Sequence, residues 1–158
     1  YCYLLAHDEA SKLPLVDAAG VTVAHCAAQE GAVWFLKRLK LNNSPLLNAL
    51  DNEGRTILHS ASFCNSPQAL MMINEDFDIS FEAVDKANKT PLDYLVDAAS
   101  EYPENWATLN TILEYTDNWP FLERPHPTAG TILGYIIAQN ATAYFPTLFK
   151  ADEASFTY

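Results

Sequence analysis

Histidine and cysteine lie close together twice in this chain, at His25-Cys26 and at His59 with Cys64 five residues on. Such groups do two kinds of chemistry. In nucleophilic catalysis a thiolate attacks while an imidazole, held in place by a third group, handles the proton; in a metal centre the same side chains ligate zinc. Neither pattern fits the spacing. Neighbours on a helix point about 100° apart, so His25 and Cys26 do not face one another, and no pair among the four has a familiar chelating interval. The carboxylate pairs Asp8-Glu9, Glu75-Asp76 and Asp152-Glu153 sit in polar or terminal stretches and read as solvated surface rather than as general acid–base pairs. Five glycines are scattered at turns, with no GxGxxG or GxxxxGK phosphate loop among them. Cys2 carries no inference. The expectation is a chain without a catalytic centre, a metal or a cofactor.

Composition narrows the partners. Of 158 residues, 49% are hydrophobic and 18% charged, with 20 acidic against 9 basic side chains and a formal charge of −11. That is too apolar for a disordered chain. It is too acidic for nucleic acid, which needs Lys and Arg to displace counterions, or for an anionic membrane surface. No apolar run approaches the ~20 residues of a membrane-spanning helix. Three cysteines without CxxC spacing imply neither a disulfide framework nor a zinc cluster, and they fit a reducing, cytoplasmic compartment. Tyr1-Cys2-Tyr3-Leu4-Leu5 reads like the middle of an element, and no secretory n-region precedes it. The expectation is a piece of a longer protein.

The elements that must hold these residues follow from an internal repeat. Asp17-Ala18-Ala19-Gly20-Val21-Thr22-Val23-Ala24-His25 is echoed by Asp51-Asn52-Glu53-Gly54-Arg55-Thr56-Ile57-Leu58-His59 and by Asp85-Lys86-Ala87-Asn88-Lys89-Thr90-Pro91-Leu92-Asp93. The three Asp residues are spaced by 34 twice over, and a weaker copy follows at Gly130-Thr131-Ile132-Leu133. Gly20, Gly54 and Asn88 stand where a turn needs positive φ. Thr22, Thr56, Thr90 and Thr131 stand where a helix needs an N-cap. Small Ala27, Ala28, Ala61 and Ala98 suit closely packed helices, and bulkier second helices follow around Val33–Leu39, Leu70–Ile73 and Leu109–Leu113. Leu46–Ala49 and Ile79–Ala83 are expected as extended arms. The fold class is therefore all-α, a solenoid of helix–turn–helix units with protruding turns.

These residues resemble the ankyrin repeat, D-x-x-G-x-T-P-L-H-x-A-A-x-x-G followed by a second apolar helix. The first copy matches at Asp17, Gly20, Thr22, His25, Ala27, Ala28 and Gly31, and the second at Asp51, Gly54, Thr56, Leu58, His59 and Ala61. The third keeps Asp85, Thr90, Pro91 and Leu92, and the fourth keeps Thr131 and Leu133. The likeness covers residues 15–150. It implies one domain over 1–158: a partial repeat or cap at 1–16, repeats at 17–50, 51–84 and 85–123, and a degenerate repeat or cap at 124–158. It also implies that His25 and His59 brace neighbouring hairpins. Function would be noncatalytic binding of another protein by a monomeric chain, along a concave strip of hairpin tips and first helices. The strip would include Ala18, Ala19 and Val21, then Asn52, Glu53 and Arg55, then Lys86, Ala87 and Lys89, with Gln29 and Phe63 facing it. Arg55, Lys86 and Lys89 would suit a partly acidic peptide.

Other sequence features fall outside that strip. Trp34 occupies a usually polar position of its helix, as an interface anchor or a seam filler. An insertion after Ala99 and the long, proline-punctuated connection 115–127 supply Tyr102, Trp106 and Trp119, which either cap the fold or recognise a partner. From Asp97 onward eight acidic residues face two basic ones, so this stretch carries −6 of the −11. Leu47-Asn48-Ala49 is similar to the hairpin motif modified by cytosolic asparaginyl hydroxylase, which makes Asn48 a candidate hydroxylation site. Loose repeats and an aromatic insertion are similar in style to ankyrin effectors that intracellular bacteria deliver into host cytoplasm. The alternatives are therefore a substrate-recruiting domain of a larger enzyme or effector, and an architectural, oligomerising solenoid.

Overall fold

The structure, a computed structural model, describes residues 16–149; Cys2, Asp8-Glu9, Asp152-Glu153 and nearly all of segment 1–16 lie outside them. The described residues are mostly helical, with one small antiparallel pair of strands among them. It divides into two compact units, 1–98 and 99–158.

In the N-terminal unit two helices begin at a capping threonine. Helix α1 (Val23–Gln29) starts after Thr22, whose side chain accepts from the Ala24 and His25 amides, and α3 (Ile57–Ala61) starts the same way after Thr56. Helix α2 (Val33–Leu41), which starts after Ala32 with no side-chain cap, packs against α1, and α4 (Pro67–Phe77) packs against both α3 and α2. Ser66 caps α4, Pro67 supplies a preset φ at its first position, and Asp78 ends it in the left-handed conformation at φ 55°. Helix α5 (Pro91–Glu101) contains the boundary between the units. Ala24, Ala28 and Ala61 are fully buried, which lets α1 and α3 approach closely, and Leu36, Ile57, Leu58, Leu70, Ile73 and Leu95 fill the remaining core.

The two expected extended arms are not extended. Pro45–Asn48 forms a turn of 3-10 helix, because Pro45 fixes φ and the Ser44 hydroxyl accepts from the Leu46 amide. The segment 79–83 is a turn closed by Ser80, whose carbonyl accepts from Ala83 and whose hydroxyl accepts from Glu82; it buries Ile79 and Phe81.

Gly20 meets two demands at once. Its φ is +77°, and a Cβ there would lie 2.6 Å from Asn52 Oδ1 and 2.7 Å from the Asn52 amide. Gly20→Ala is therefore expected to cost about 2 kcal/mol, from left-handed strain and displacement of the neighbouring turn together. Urea denaturation checks this; a loss under about 0.5 kcal/mol would mean that the turns are not held against each other.

In the C-terminal unit α6 (Asn105–Thr116) buries Trp106, Leu109, Ile112 and Leu113. Asn105 and Asn110 are buried beside them, and among the described residues neither Oδ1 has a hydrogen-bond partner. A 3-10 turn at Trp119–Glu123 buries Phe121 and Leu122. Strands β1 (Pro125–His126) and β2 (Gly130–Thr131) form a minimal hairpin, pairing Pro125 with Thr131 and His126 with Gly130. Thr131 then caps α7 (Ile132–Ala138), which is followed by a 3-10 turn at Thr142–Tyr144 and α8 (Pro146–Phe149). Trp106 is 2% exposed, its ring edge-on to Tyr135 and Phe145. Of the two expectations for it, covering the fold or meeting a partner, its burial agrees with the first: α6 turns it inward with Leu109, Ile112 and Leu113.

Candidate partner-binding surface

One local arrangement occurs three times, 34 residues apart. Oδ1 of Asp17 accepts from the amides of Ala19 and Val21; Asp51 does so from Glu53 and Arg55, and Asp85 from Ala87 and Lys89, all at 2.8–2.9 Å. Each carboxylate thereby closes its own turn. The turns are tied in succession by main-chain bonds, from the Asn52 amide to the Ala19 carbonyl and from the Lys86 amide to the Glu53 carbonyl, both 2.9 Å. Burial pushes the Asp51 and Asp85 carboxyls up, but their hydrogen bonds outweigh it and leave both below the ordinary 3.8. Tyr94 donates to Asp85 Oδ2 at 2.6 Å; burial, then this bond, push its phenol up to about 12.

His25 and His59 complete the arrangement. Nδ1 of His25 accepts from the Thr22 amide, and its Nε2 lies 3.1 Å from the Arg55 carbonyl. His59 repeats both contacts with Thr56 and with the Lys89 carbonyl, again 3.1 Å. With Nδ1 accepting, Nε2 is the nitrogen that donates to the carbonyl, so both ring nitrogens are engaged. Both rings are struts between one helix start and the next turn. Cys64 is buried, which pushes its thiol up and away from thiolate. Among the described residues no three His, Cys, Asp or Glu side chains converge as a metal site would require.

The strut position changes along the chain. Asp93 stands in the third copy: it accepts from the Thr90 amide and hydroxyl at 2.7 and 2.8 Å, but a carboxylate has no proton to donate onward. In the fourth, Gly134 has no side chain at all, and a Cβ there would lie 2.5 Å from the Ala129 carbonyl oxygen. The turn before it keeps part of the pattern in altered chemistry. His126 stands five residues before Thr131, as Asp17 stands before Thr22, and its Nδ1 accepts from the Thr128 amide two residues on. His126 also stacks on Tyr135, ring centres 3.9 Å apart.

Burial pushes the His59 imidazole below its ordinary 6.5, against the upward pull of the Lys89 carbonyl and of Asp85 and Asp51. The folded protein thus binds this proton more weakly than the unfolded chain does. The contribution is complete above about pH 6.5 and is lost as pH falls through the lowered folded value. Asp51 and Asp85 act in the same direction only at lower pH, near and below 3.8. Urea midpoints are expected to fall between about pH 6.5 and 4, and His59→Gln should flatten that fall. An unchanged slope in the variant would remove His59 as its source.

The basic residues expected to greet an acidic peptide are already engaged. Arg55 Nε holds Asp51 Oδ2 at 2.7 Å, and Lys89 Nζ holds Asp97 at 2.7 Å while lying over the Tyr94 ring. Lys86 Nζ donates to the Asn52 carbonyl at 2.6 Å, and Asn52 Nδ2 to the Ala18 carbonyl at 2.9 Å. Arg55 and Lys89 are thus each paired with a carboxylate of their own unit. Glu53 is exposed, as is Phe63, whose ring stands edge-on to Tyr94. Gln29 and Asn48 are exposed at the end of α1 and in the 3-10 turn. Trp34 is exposed on α2; in the other unit Tyr102 is exposed and Trp119 half-buried.

Sequence reasoning missed the apolar component. Val16, Leu50 and Val84 each stand one residue before the turn aspartate, and they are 46, 58 and 53% exposed. Val16 pairs across its turn with Thr22, which fixes the equivalent point of the frame. The signal of Val16, Leu50 and Val84 in the sequence is the same 34-residue interval, one residue before each aspartate. No protein-family model matches the sequence, and a search of curated proteins finds no match.

Proposed function

We propose that this chain is an ankyrin-type, noncatalytic module that binds another protein along its successive turns, with Val16, Leu50 and Val84 as anchors. The observation that carries this reading is the repetition of an exposed aliphatic side chain beside turns that are bonded one to the next. Isolated exposed aliphatics are ordinary; three at equivalent positions on a rigid ladder make a surface that an extended segment with spaced apolar side chains fits. Asn52, Glu53, Lys86 and Phe63 form the polar and aromatic margin, where hydrogen bonds select the partner more than they hold it. No helix among the described residues is long and apolar enough to cross a membrane.

A photo-crosslinking residue placed at Leu50 or at Val84 tests the reading in cells and identifies the partner. A discrete adduct from both positions is expected. Absence of an adduct from either, with the protein folded and expressed, would contradict it.

A further inference from the structure

Helix α2 has two working faces. Val33, Leu36 and Leu39 turn inward, with Leu36 fully buried, and α1 and α4 pack against this helix. On the other side Trp34, Lys37, Arg38 and Leu41 follow one another at i, i+3, i+4 and i+7, which places all four on one stripe. All four are exposed, Trp34 at 63% and Leu41 at 82%. Lys37, Arg38 and Lys40 bring three of the chain's nine basic residues into four positions, within a protein of charge −11. Lys40 reaches Asp76 only at 3.8 Å and lies over the Phe77 ring; among the described residues neither Lys37 nor Arg38 pairs with a carboxylate.

We propose that the outer face of α2 is a second docking surface, which takes an acidic amphipathic segment of a partner protein. Trp34 and Leu41 would receive its apolar side chains, and Lys37 and Arg38 its carboxylates. An exposed Trp–Leu pair asks for apolar cover, and the two unpaired cations between them fix the sign of whatever supplies it. Charges act over a Debye length of about 8 Å at physiological salt, so a single acidic segment lying on α2 feels this local positive field. An anionic membrane would instead meet the whole acidic protein. Its anchors are not those of the turn row, so either site can fail while the other stands.

Selection from a random twelve-residue display library tests this, with counter-selection against the chain carrying Lys37→Glu and Arg38→Glu. Peptides that survive are expected to combine acidic with large apolar residues. A representative one should bind about tenfold more weakly to the charge-reversed chain, and again about tenfold more weakly to Trp34→Ala. Circular dichroism confirms that both exposed-site variants remain folded. Failure to enrich any peptide, enrichment of neutral or basic ones, or equal binding to the reversed chain would overturn the proposal. So would recruitment to phosphatidylserine vesicles that the reversal abolishes, or a dimer in light scattering that Trp34→Ala dissociates.

Discussion

His59→Ala is expected to lower the stability of the N-terminal unit by about 3 kcal/mol. The ring is fully buried. Its removal leaves a cavity beside Tyr94, which stands edge-on to it. It also strips the Thr56 amide of its acceptor and the Lys89 carbonyl of a donor. A buried polar group left unpaired costs about 1–3 kcal/mol, and the cavity adds to that. The loss is a large share of the 5–15 kcal/mol typical of a folded domain. His126→Ala is the control, since this ring is only half-buried and belongs to the other unit. A His59→Ala loss under about 1 kcal/mol in urea would show that the strut is dispensable.

Trp106→Ala should be as damaging to the C-terminal unit, at about 3–5 kcal/mol. A large ring that is 2% exposed and contacts Tyr135 and Phe145 leaves a void that its neighbours fill only in part. Tyr102→Ala, four residues earlier and 58% exposed, is expected to stay within about 0.5 kcal/mol of the parent. Thermal melting followed by near-ultraviolet circular dichroism separates the two variants. Equal, small effects would mean that Trp106 is not the centre of that unit.

What was legible in the sequence was local. An aspartate that closes its own turn, a glycine at positive φ and a threonine that caps the next helix act within about five residues, so their order in the chain is nearly their order in space. That is why Asp17, Gly20 and Thr22 could be read, and why their equivalents at 51–56 recur with the same hydrogen bonds. What depended on distant residues was not legible. Nothing in the sequence near Lys89 announces that Asp97 will neutralise it, and an aromatic insertion does not say which ring turns inward. Trp106 went to the core and Tyr102 to solvent because α6 begins between them and sets their directions. The last copy was hard to read for a chemical reason: His126 stands at the aspartate's place and makes one of its two turn bonds, and Gly134 stands at the strut's place with no side chain to make any.

One comparison tests the turn row as an interface most directly. The partner captured by the parent protein is measured against capture by the chain carrying Val16→Glu, Leu50→Glu and Val84→Glu, with circular dichroism confirming an unchanged fold. These side chains are exposed, so the substitutions should leave stability nearly intact while placing three charges where the partner's apolar groups would lie. Binding is predicted to fall at least about a hundredfold, the equivalent of ~2.7 kcal/mol. Undiminished binding by a folded triple variant would place the interface elsewhere and contradict the proposed function.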